Sequence, residues 1–231
     1  MKKSLFILPI LFATLHGHSQ NFKTSVFVSP NISWISSSSE KIKSEKTGRG
    51  FSVAVREEYY FSKLFSIGSE IEYMNIGASF QSPDNQPAVG EVVHYTRNTI
   101  RENIVEVPLI IKIRSKNENK NLYCFTGLGL SYHFSNKKAV EVISYSWHNS
   151  DEKQVKFITK GNFDFSNKSK LGSFILFGVG KNFIIKKKKL FSELRFRHDL
   201  TSWVYPTTND PVDPVFNIRT NTITLNIGYI F

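Results

Sequence analysis

Cysteine is nearly absent from this chain: Cys124 is the only one among 231 residues. A single cysteine excludes an internal disulfide, so the fold is not a small scaffold held together by cross-links. Long apolar runs are also missing, because no stretch beyond the N-terminal segment reaches the ~18 apolar residues of a membrane-spanning helix. The fold must therefore be stabilised by packing or by closed hydrogen bonding between strands.

Acidic residues are in the minority, with 19 Asp and Glu against 30 Lys and Arg. A basic balance often indicates nucleic acid, but here the basic residues are dispersed and the N-terminus predicts export. Anionic membrane headgroups are therefore the expected counter-surface, and no nucleic-acid partner is expected. Aromatic residues make up 14% of the chain and hydrophobic residues 40%, which excludes a disordered chain.

The N-terminal segment has the three parts of a secretory signal peptide. A lysine pair begins it, an apolar stretch follows, and small residues precede a cleavage that we place between Ser19 and Gln20. We predict a signal peptide over residues 1–19. An N-terminal membrane anchor is the alternative, and the shortness of the apolar run argues against it.

Beyond this segment the sequence alternates between apolar and polar residues with a period of two, which is typical of β-strands. Eight such segments follow one another, each roughly 11 to 15 residues long, against the ~5–6 residues usual in globular sheets. Pro108 interrupts one of them, and we expect a local bulge or an unpaired position there. The last segment sets Ile223, Leu225, Ile227, Tyr229 and Phe231 against Thr222, Thr224, Asn226 and Gly228.

The connections between the segments alternate between long and short, at about 13, 3, 20, 6, 35, 6 and 16 residues. Outer-membrane barrels have this pattern, with short periplasmic turns and long external loops. We therefore predict an all-β domain over residues 20–231, an eight-stranded antiparallel up-and-down transmembrane β-barrel. The first and last strands must then pair, because an open sheet edge does not survive in a bilayer.

The polar faces of the predicted strands carry charges of both signs. In a membrane barrel these faces turn inward, and a narrow eight-stranded lumen is filled by side chains. We predict a lumen charge network that closes the barrel as a plug. The alternative is that these residues lie on the wet outer face of a soluble sheet. The predicted network is Arg56, Glu58, Glu70, Glu72, Glu106, Lys112, Glu193, Arg195 and Arg197.

Several stretches resemble the PorT-type family of small outer-membrane β-barrel proteins. "NIVEVPLIIKIR" resembles the family's "YLEIPLLLKY" strand, "FILFGVGKNFIIKKKKLFSELRFRHDLT" its "GLxxGxGxE…LxLExRYxxGLT" strand pair, and "TITLNIGYIF" its closing strand. The resemblance covers roughly residues 22–231. Lys181 and Asn182 replace the usual acidic residue, and His198-Asp199 replaces small residues.

This resemblance implies an outer-membrane location, with outer-membrane lipid as the surroundings. It does not imply one activity, since the members are mostly of unassigned role and one branch is tied to protein secretion. It also implies that Tyr229 and Phe231 form the signal that the barrel-assembly machinery reads during biogenesis.

Three possible activities follow from individual residues. Ser131-x-His133, with Glu70, Glu72 or Glu106 as a third member, has the residue types of a serine hydrolase, and some eight-stranded barrels modify lipid A. We favour lumen filling and predict no catalysis. Asn209, Asp210 and Asp213 offer oxygen ligands without the spacing of a calcium loop, so we predict neither a metal nor another cofactor. A small-solute pore is disfavoured by the narrow lumen.

The segment 135–169 is the best candidate for an external partner-binding loop. Within it, "VEVISYSW" and "KQVKFIT" alternate and are expected to extend the barrel strands above the membrane. Its aromatic residues either bind an extracellular or envelope protein or pack on one another. We predict a monomeric, non-enzymatic protein with a structural or interaction role. The candidate residues are Tyr145, Trp147, Phe157, Phe163 and Phe165.

Overall fold

The computed structural model shows a sheet that closes on itself. Eight long strands follow the order β1-β2-β3-β4-β5-β8-β9-β11, and β11 returns to pair with β1. All these pairings are antiparallel. The predicted eight-stranded antiparallel barrel is confirmed. The structure describes residues 21–37, 43–83, 92–116, 121–148, 151–153, 161–164, 170–205 and 216–231.

Three short strands add to the eight long ones: β6 and β7 pair with β5, and β10 pairs with β11. None of the described segments is a helix of the length and hydropathy needed to cross a membrane. The strands are β1 (Phe22–Ser37), β2 (Lys43–Tyr60), β3 (Phe65–Pro83), β4 (Val92–Arg114), β5 (Leu122–His148), β6 (Asp151–Lys153), β7 (Gly161–Asp164), β8 (Leu171–Ile185), β9 (Lys188–Asp199), β10 (Trp203–Tyr205) and β11 (Phe216–Ile230).

The seam of the barrel lies between the first and last strands, as expected from the alternating C-terminal segment. Its register runs from the pair Ser25 and Ile230 to the pair Ser37 and Ile218. Beyond it, the amide of Phe231 donates to the carbonyl oxygen of Thr24 at 2.9 Å. These bonds remove the open edge that a bilayer would not tolerate.

The two faces of the sheet are reversed relative to a soluble protein. Large apolar side chains are exposed on the outside, for example Leu128 at 65% and Leu130 at 66%, whereas Glu193 inside is 0% exposed. Buried charges beside exposed aliphatic residues are what a lipid-facing surface requires. The alternative of a soluble sheet with a wet charged face is therefore wrong.

The strands are longer on the outer side than the alternation pattern predicted. β4 has 23 residues and β5 has 27, whereas a tilted membrane-spanning strand needs ~9–11. The pairing of β4 with β5 continues outward to Val92 and Ser146. Segments that were expected to be loops, including part of 135–169, thus form a sheet above the barrel, because β4 and β5 keep a continuous ladder of backbone pairing. "VEVISYSW" lies within β5, as predicted.

Pro108 leaves an unpaired position without shifting the register. Toward β3, the pairing of β4 stops at Leu109 and resumes at Glu106 in the same register. A proline has no N–H to donate, so one of the two expected outcomes, the unpaired position, is observed. The bulge in the β4–β5 pairing lies elsewhere: its extra residue is Phe134 of β5, opposite Asn103 and Ile104.

The turn between β8 and β9 consists of two lysines, Lys186 and Lys187, with φ of 47° and 69°. Positive φ at both central residues is the geometry of a two-residue type I′ hairpin turn. Short turns lie at the periplasmic end of outer-membrane barrels. This turn therefore marks the periplasmic end, and the extended strands mark the outer end.

Candidate functional site in the barrel lumen

The structure places all nine residues of the predicted charge network inside the barrel, and it divides them between two levels. We call the level nearer the periplasm the inner cluster and the level nearer the outside the outer cluster. The inner cluster is Arg56, Glu58, Glu70, Lys112, Arg114, Glu193 and Arg195; the outer cluster is Glu72, Glu106, Arg197 and Asp199. Glu72 joins the levels, because its Oε2 lies 3.0 Å from Nη1 of Arg195.

Glu193 is the centre of the inner cluster. Arg56 donates to it through both terminal nitrogens, each at 2.6 Å, in a bidentate pair. The Tyr123 hydroxyl donates at 2.9 Å and the Asn226 amide at 3.0 Å. The Lys112 ammonium lies 3.4 Å away. One carboxylate therefore binds groups from four other strands, which ties opposite walls of the barrel together.

Glu70 is the second shared carboxylate. Arg56 Nε donates to it at 2.5 Å, and Arg195 donates to both of its oxygens at 2.9 Å. Arg195 also lies 3.6 Å from Glu193, so Glu70 and Glu193 each contact two guanidinium groups. A buried charge is tolerated only when such pairing offsets its desolvation.

Glu58 completes the inner cluster at its periplasmic side. Lys112 donates to it at 3.0 Å and the Ser66 hydroxyl at 2.5 Å, and Arg114 also pairs with it. Arg114 further donates to Ser66 at 3.0 Å. This group lies against the periplasmic mouth, so the charge network extends to the end of the lumen.

Aromatic rings pack against the guanidinium groups. The Arg56 guanidinium lies 5.0 Å from the Phe27 ring and 5.2 Å from the Phe191 ring, and that of Arg195 lies 5.5 Å from the Phe125 ring. The alternation pattern predicted polar inward faces and did not identify these rings. The lumen is therefore closed by alternating charges and rings.

Glycines on neighbouring strands make room for the rings, and this is the signal that could have found them. A Cβ at Gly228 would lie 2.3 Å from the Phe191 ring, and one at Gly178 would lie 2.5 Å from the Phe125 ring. Such distances are shorter than van der Waals contact, so only glycine fits at these places. An inward glycine beside an inward aromatic residue of the next strand indicates a filled lumen.

The outer cluster is less completely hydrogen-bonded. Nη2 of Arg197 lies 2.6 Å from Glu106 and 2.7 Å from Asp199. These contacts are within ion-pair distance, but they lack hydrogen-bond alignment, because all three guanidinium nitrogens of Arg197 have no hydrogen-bond partner in the protein. Further buried oxygens without a protein partner belong to Ser52, Glu72, Glu106, Asp199, Thr222 and Thr224.

Ser131 and His133 form a hydrogen-bonded chain with a third residue that the sequence did not identify. Ser131 Oγ lies 3.2 Å from His133 Nε2, and His133 Nδ1 lies 3.0 Å from Glu102 Oε2. The suggested third members, Glu70, Glu72 and Glu106, are wrong for this position. His133 pairs with Ile104 of β4, and Glu102 is the inward residue two positions before Ile104, so the carboxylate lies beside the imidazole.

These three hydrogen-bonded residues follow the order of a serine hydrolase triad, but the serine is covered by neighbouring residues. Ser131 is 1% exposed, and a Cβ at Gly172 would lie 2.6 Å from its hydroxyl oxygen. The backbone of β8 therefore passes close to the Ser131 hydroxyl. The geometry favours a buried polar link between β4 and β5.

The other predicted site residues lie partly or wholly outside the described structure. The backbones of Tyr145 and Trp147 are in β5, and that of Phe163 is in β7, whereas their side chains are not described. Outside the described residues altogether are Phe157, Phe165, Asn209, Asp210, Asp213 and the segment 1–19. Within the described part of the chain, no three His, Cys, Asp or Glu residues are placed to hold a metal ion.

The proposed assembly signal lies at the periplasmic end of the seam. Phe231 is 67% exposed, and its ring packs edge-on against that of Tyr229, with centroids 4.8 Å apart. Both rings therefore lie on the outer surface of the barrel.

The chain belongs to the outer membrane protein beta-barrel domain family, whose model matches residues 18–204. Membership implies the outer membrane as its location. No match was found among curated protein sequences.

Solved structures of similar fold share little sequence with the chain. Neisserial surface protein A is 12% identical, with 89% of this chain and 96% of that chain covered and a TM-score of 0.45. Ail, the attachment invasion locus protein of Yersinia pestis, is 11% identical over 92% and 100%, with a TM-score of 0.41. The outer membrane protease OmpT from Escherichia coli is 9% identical over 94% and 99%, with a TM-score of 0.36.

Proposed function

We propose that this protein is a sealed, monomeric and non-enzymatic outer-membrane barrel that acts through its external sheet and loops. The observation that carries the proposal is the inner cluster, in which Arg56, Glu193 and Arg195 are at most 2% exposed. The described lumen has neither a passage nor an accessible nucleophile. The external surface is therefore the part of the protein on which we expect its function to depend.

The energetics of the inner cluster argue against a solute pore. Opening a path past Glu193 requires separating it from Arg56 and Lys112, which would leave buried charges without partners. Breaking a buried pair in this way costs about 3–5 kcal/mol. Thermal motion therefore overcomes this cost only rarely, and the barrel is closed nearly all the time.

The extended strands support an external role. β4 and β5 remain paired well past the length that spans a bilayer, and β6 and β7 widen the sheet there. This sheet holds Tyr145, Trp147 and Phe163 outside the membrane, in a segment whose aromatic residues suit an extracellular or envelope protein partner.

Export and assembly complete the proposal. The segment 1–19 would direct the chain across the inner membrane as a signal peptide, and Tyr229 and Phe231 would be read by the barrel-assembly machinery. The motif in β4 and the β8–β9 pair, which resemble the PorT-type family, support membership of that branch.

A site-specific photo-crosslinker tests the external role in intact cells. Placed at Tyr145 or Trp147, it should give a discrete protein adduct, whereas the same group at the lipid-facing Val107 should give none. Equal adducts at all three positions, or none at the outer two, would contradict the proposal. Liposome swelling with the purified protein should show no solute uptake.

A second candidate function is ester hydrolysis, for which the hydrogen-bonded chain of Ser131, His133 and Glu102 is the specific observation. A lipid A-modifying barrel would label with a fluorophosphonate probe at Ser131 and lose the label in Ser131→Ala. Ser29→Ala is the matched control, because Ser29 is a buried lumen serine bonded to Asn226 rather than to a histidine. We expect no label in any of the three proteins.

A further inference from the structure

We propose that the periplasmic mouth of the barrel is a binding site for a phosphate-type anion. We define the mouth by Lys23, Glu58, Tyr60, Lys112, Arg114 and Lys189. This site is separate from the external surface on which the proposed function depends, so either can fail without the other.

A small opening at this end reaches the inner cluster. Its lining includes Lys23, Ser25, Arg56, Glu58, Tyr60 and Lys112. The enclosed space is ≈ 10 Å³, about the volume that one water-sized group occupies. A larger anion would therefore lie at the rim, with one oxygen directed into the opening.

Two cations share one aromatic ring at the rim. The Lys23 ammonium and the Arg114 guanidinium each lie 4.1 Å from the centre of the Tyr60 ring. A ring face attracts a cation, but it does not neutralise the charge. Both positive groups are therefore held at the opening by contact with the same ring.

The mouth has more positive charge than its carboxylate can balance. Lys112 and Arg114 both pair with Glu58, whereas Lys23 and Lys189 have no carboxylate within ion-pair distance in the part of the chain that the structure describes. Lys189 and Arg114 also repel the Lys23 ammonium. Lys112 also lies beside Glu193, so Glu58 is left to balance the three remaining cations, Lys23, Arg114 and Lys189, and such repulsion in a partly buried place is relieved by a bound anion.

A phosphate group fits this arrangement better than a carboxylate does. Its oxygens accept from several ammonium and guanidinium groups at once, and Arg114 offers a planar donor beside the two lysines. The mouth lies at the level of the periplasmic headgroups, so the phosphate would come either from a phospholipid or from free phosphate. The chemistry recognised is the same in both cases.

Phosphorus NMR of the purified full-length protein in an uncharged detergent tests the proposal. Inorganic phosphate and a short-chain phosphatidylglycerol are titrated separately. Saturable binding of either one supports the site, and the ligand that binds identifies the source. Binding should weaken as salt is added, because the charges are partly exposed.

Variants at the mouth distinguish the site from general attraction to a basic protein. Lys23→Gln with Lys189→Gln should weaken binding at least tenfold. Lys43→Gln with Lys46→Gln removes the same charge at the outer end of β2 and should leave the affinity within twofold. Folding of each variant is checked by heat-modifiable migration on a gel. No saturable binding to the wild type, or equal loss in both double variants, would overturn the proposal.

Discussion

The inner and outer clusters occupy the same lumen and both combine carboxylates with guanidinium groups, yet their charges are paired differently. Glu193 receives aligned hydrogen bonds from Arg56, Tyr123 and Asn226. Arg197 lies as close to its carboxylates, but none of its nitrogens is aligned with an acceptor. The two levels therefore differ both in the number of polar groups that each central charge contacts and in how well those contacts are aligned.

The difference arises from where the partners stand. Glu193 on β9 meets Arg56 from β2 and Lys112 from β4, so its contacts cross the lumen. Arg197 has one partner across the lumen, Glu106 of β4, and one on its own strand, Asp199, two residues away. A contact within one strand does not hold opposite walls together, whereas a contact across the lumen does. The inner cluster should accordingly contribute more to closure and to stability.

The largest expected effect is that of Glu193→Ala. The substitution leaves Arg56 and Lys112 buried without their shared carboxylate, which should reduce the free energy of unfolding by about 3–5 kcal/mol. Urea-induced unfolding in lipid vesicles, followed by tryptophan fluorescence, measures the change. A loss below about 1 kcal/mol, on the scale of a single ordinary hydrogen bond, would show that the inner cluster contributes little to the stability of the fold.

Gly228→Ala tests how tightly the same level is packed. The new Cβ would meet the Phe191 ring at 2.3 Å and a backbone oxygen of Val26 at 2.6 Å, so we expect a loss of about 1–3 kcal/mol. Gly77→Ala is the matched control, because the nearest atom to its Cβ would be at 3.4 Å. Equal stabilities of the two variants would mean that the Phe191 ring moves away from the new Cβ at little cost in free energy.

Glu106→Gln tests the outer cluster. Its Oε1 makes no aligned hydrogen bond, and Arg197 retains Asp199, so the expected loss is only about 1 kcal/mol. The same unfolding measurement applies. A loss as large as that of Glu193→Ala would remove the proposed distinction between the two levels.

Ser131→Ala should have the smallest effect. It removes one hydrogen bond to His133, worth about 0.5–1.5 kcal/mol, and leaves the imidazole bonded to Glu102. The Glu102→Gln variant tests the hydrogen bond between His133 and Glu102, and it is compared by unfolding and by the chemical shifts of the imidazole. If Ser131→Ala reduced the free energy of unfolding more than Glu193→Ala, the hydrogen bonds of Ser131, His133 and Glu102 would have a larger structural role than the inner cluster.

The alternation of apolar and polar residues was sufficient to predict the faces of the barrel. Along β9, Leu194 lies outside and Arg195 and Arg197 lie inside, as a period of two requires. The same rule does not identify inward aromatic residues: Phe191 shares the face of Glu193, and its position depends on the space above a glycine of β11. That space is a property of two strands, which one strand's pattern does not contain.

Register changes are the other limit. Glu102 contacts His133 because His133 pairs with Ile104, a register that the bulge at Phe134 helps to set, and local alternation does not predict where an extra residue is inserted. The outer extension of β4 and β5 was underestimated for a related reason. Polar residues such as those near Asn136 resemble a loop, although the two strands continue to pair there.

Conductance of single barrels in a planar bilayer is the most direct test of the claim that the inner cluster seals the lumen. The wild type should give no steady channels. Arg56→Ala combined with Glu193→Ala removes the central pair and should open channels, whereas Arg197→Ala combined with Asp199→Ala should leave the barrel closed. Steady channels from the wild type, or channels from the outer double variant alone, would contradict the account.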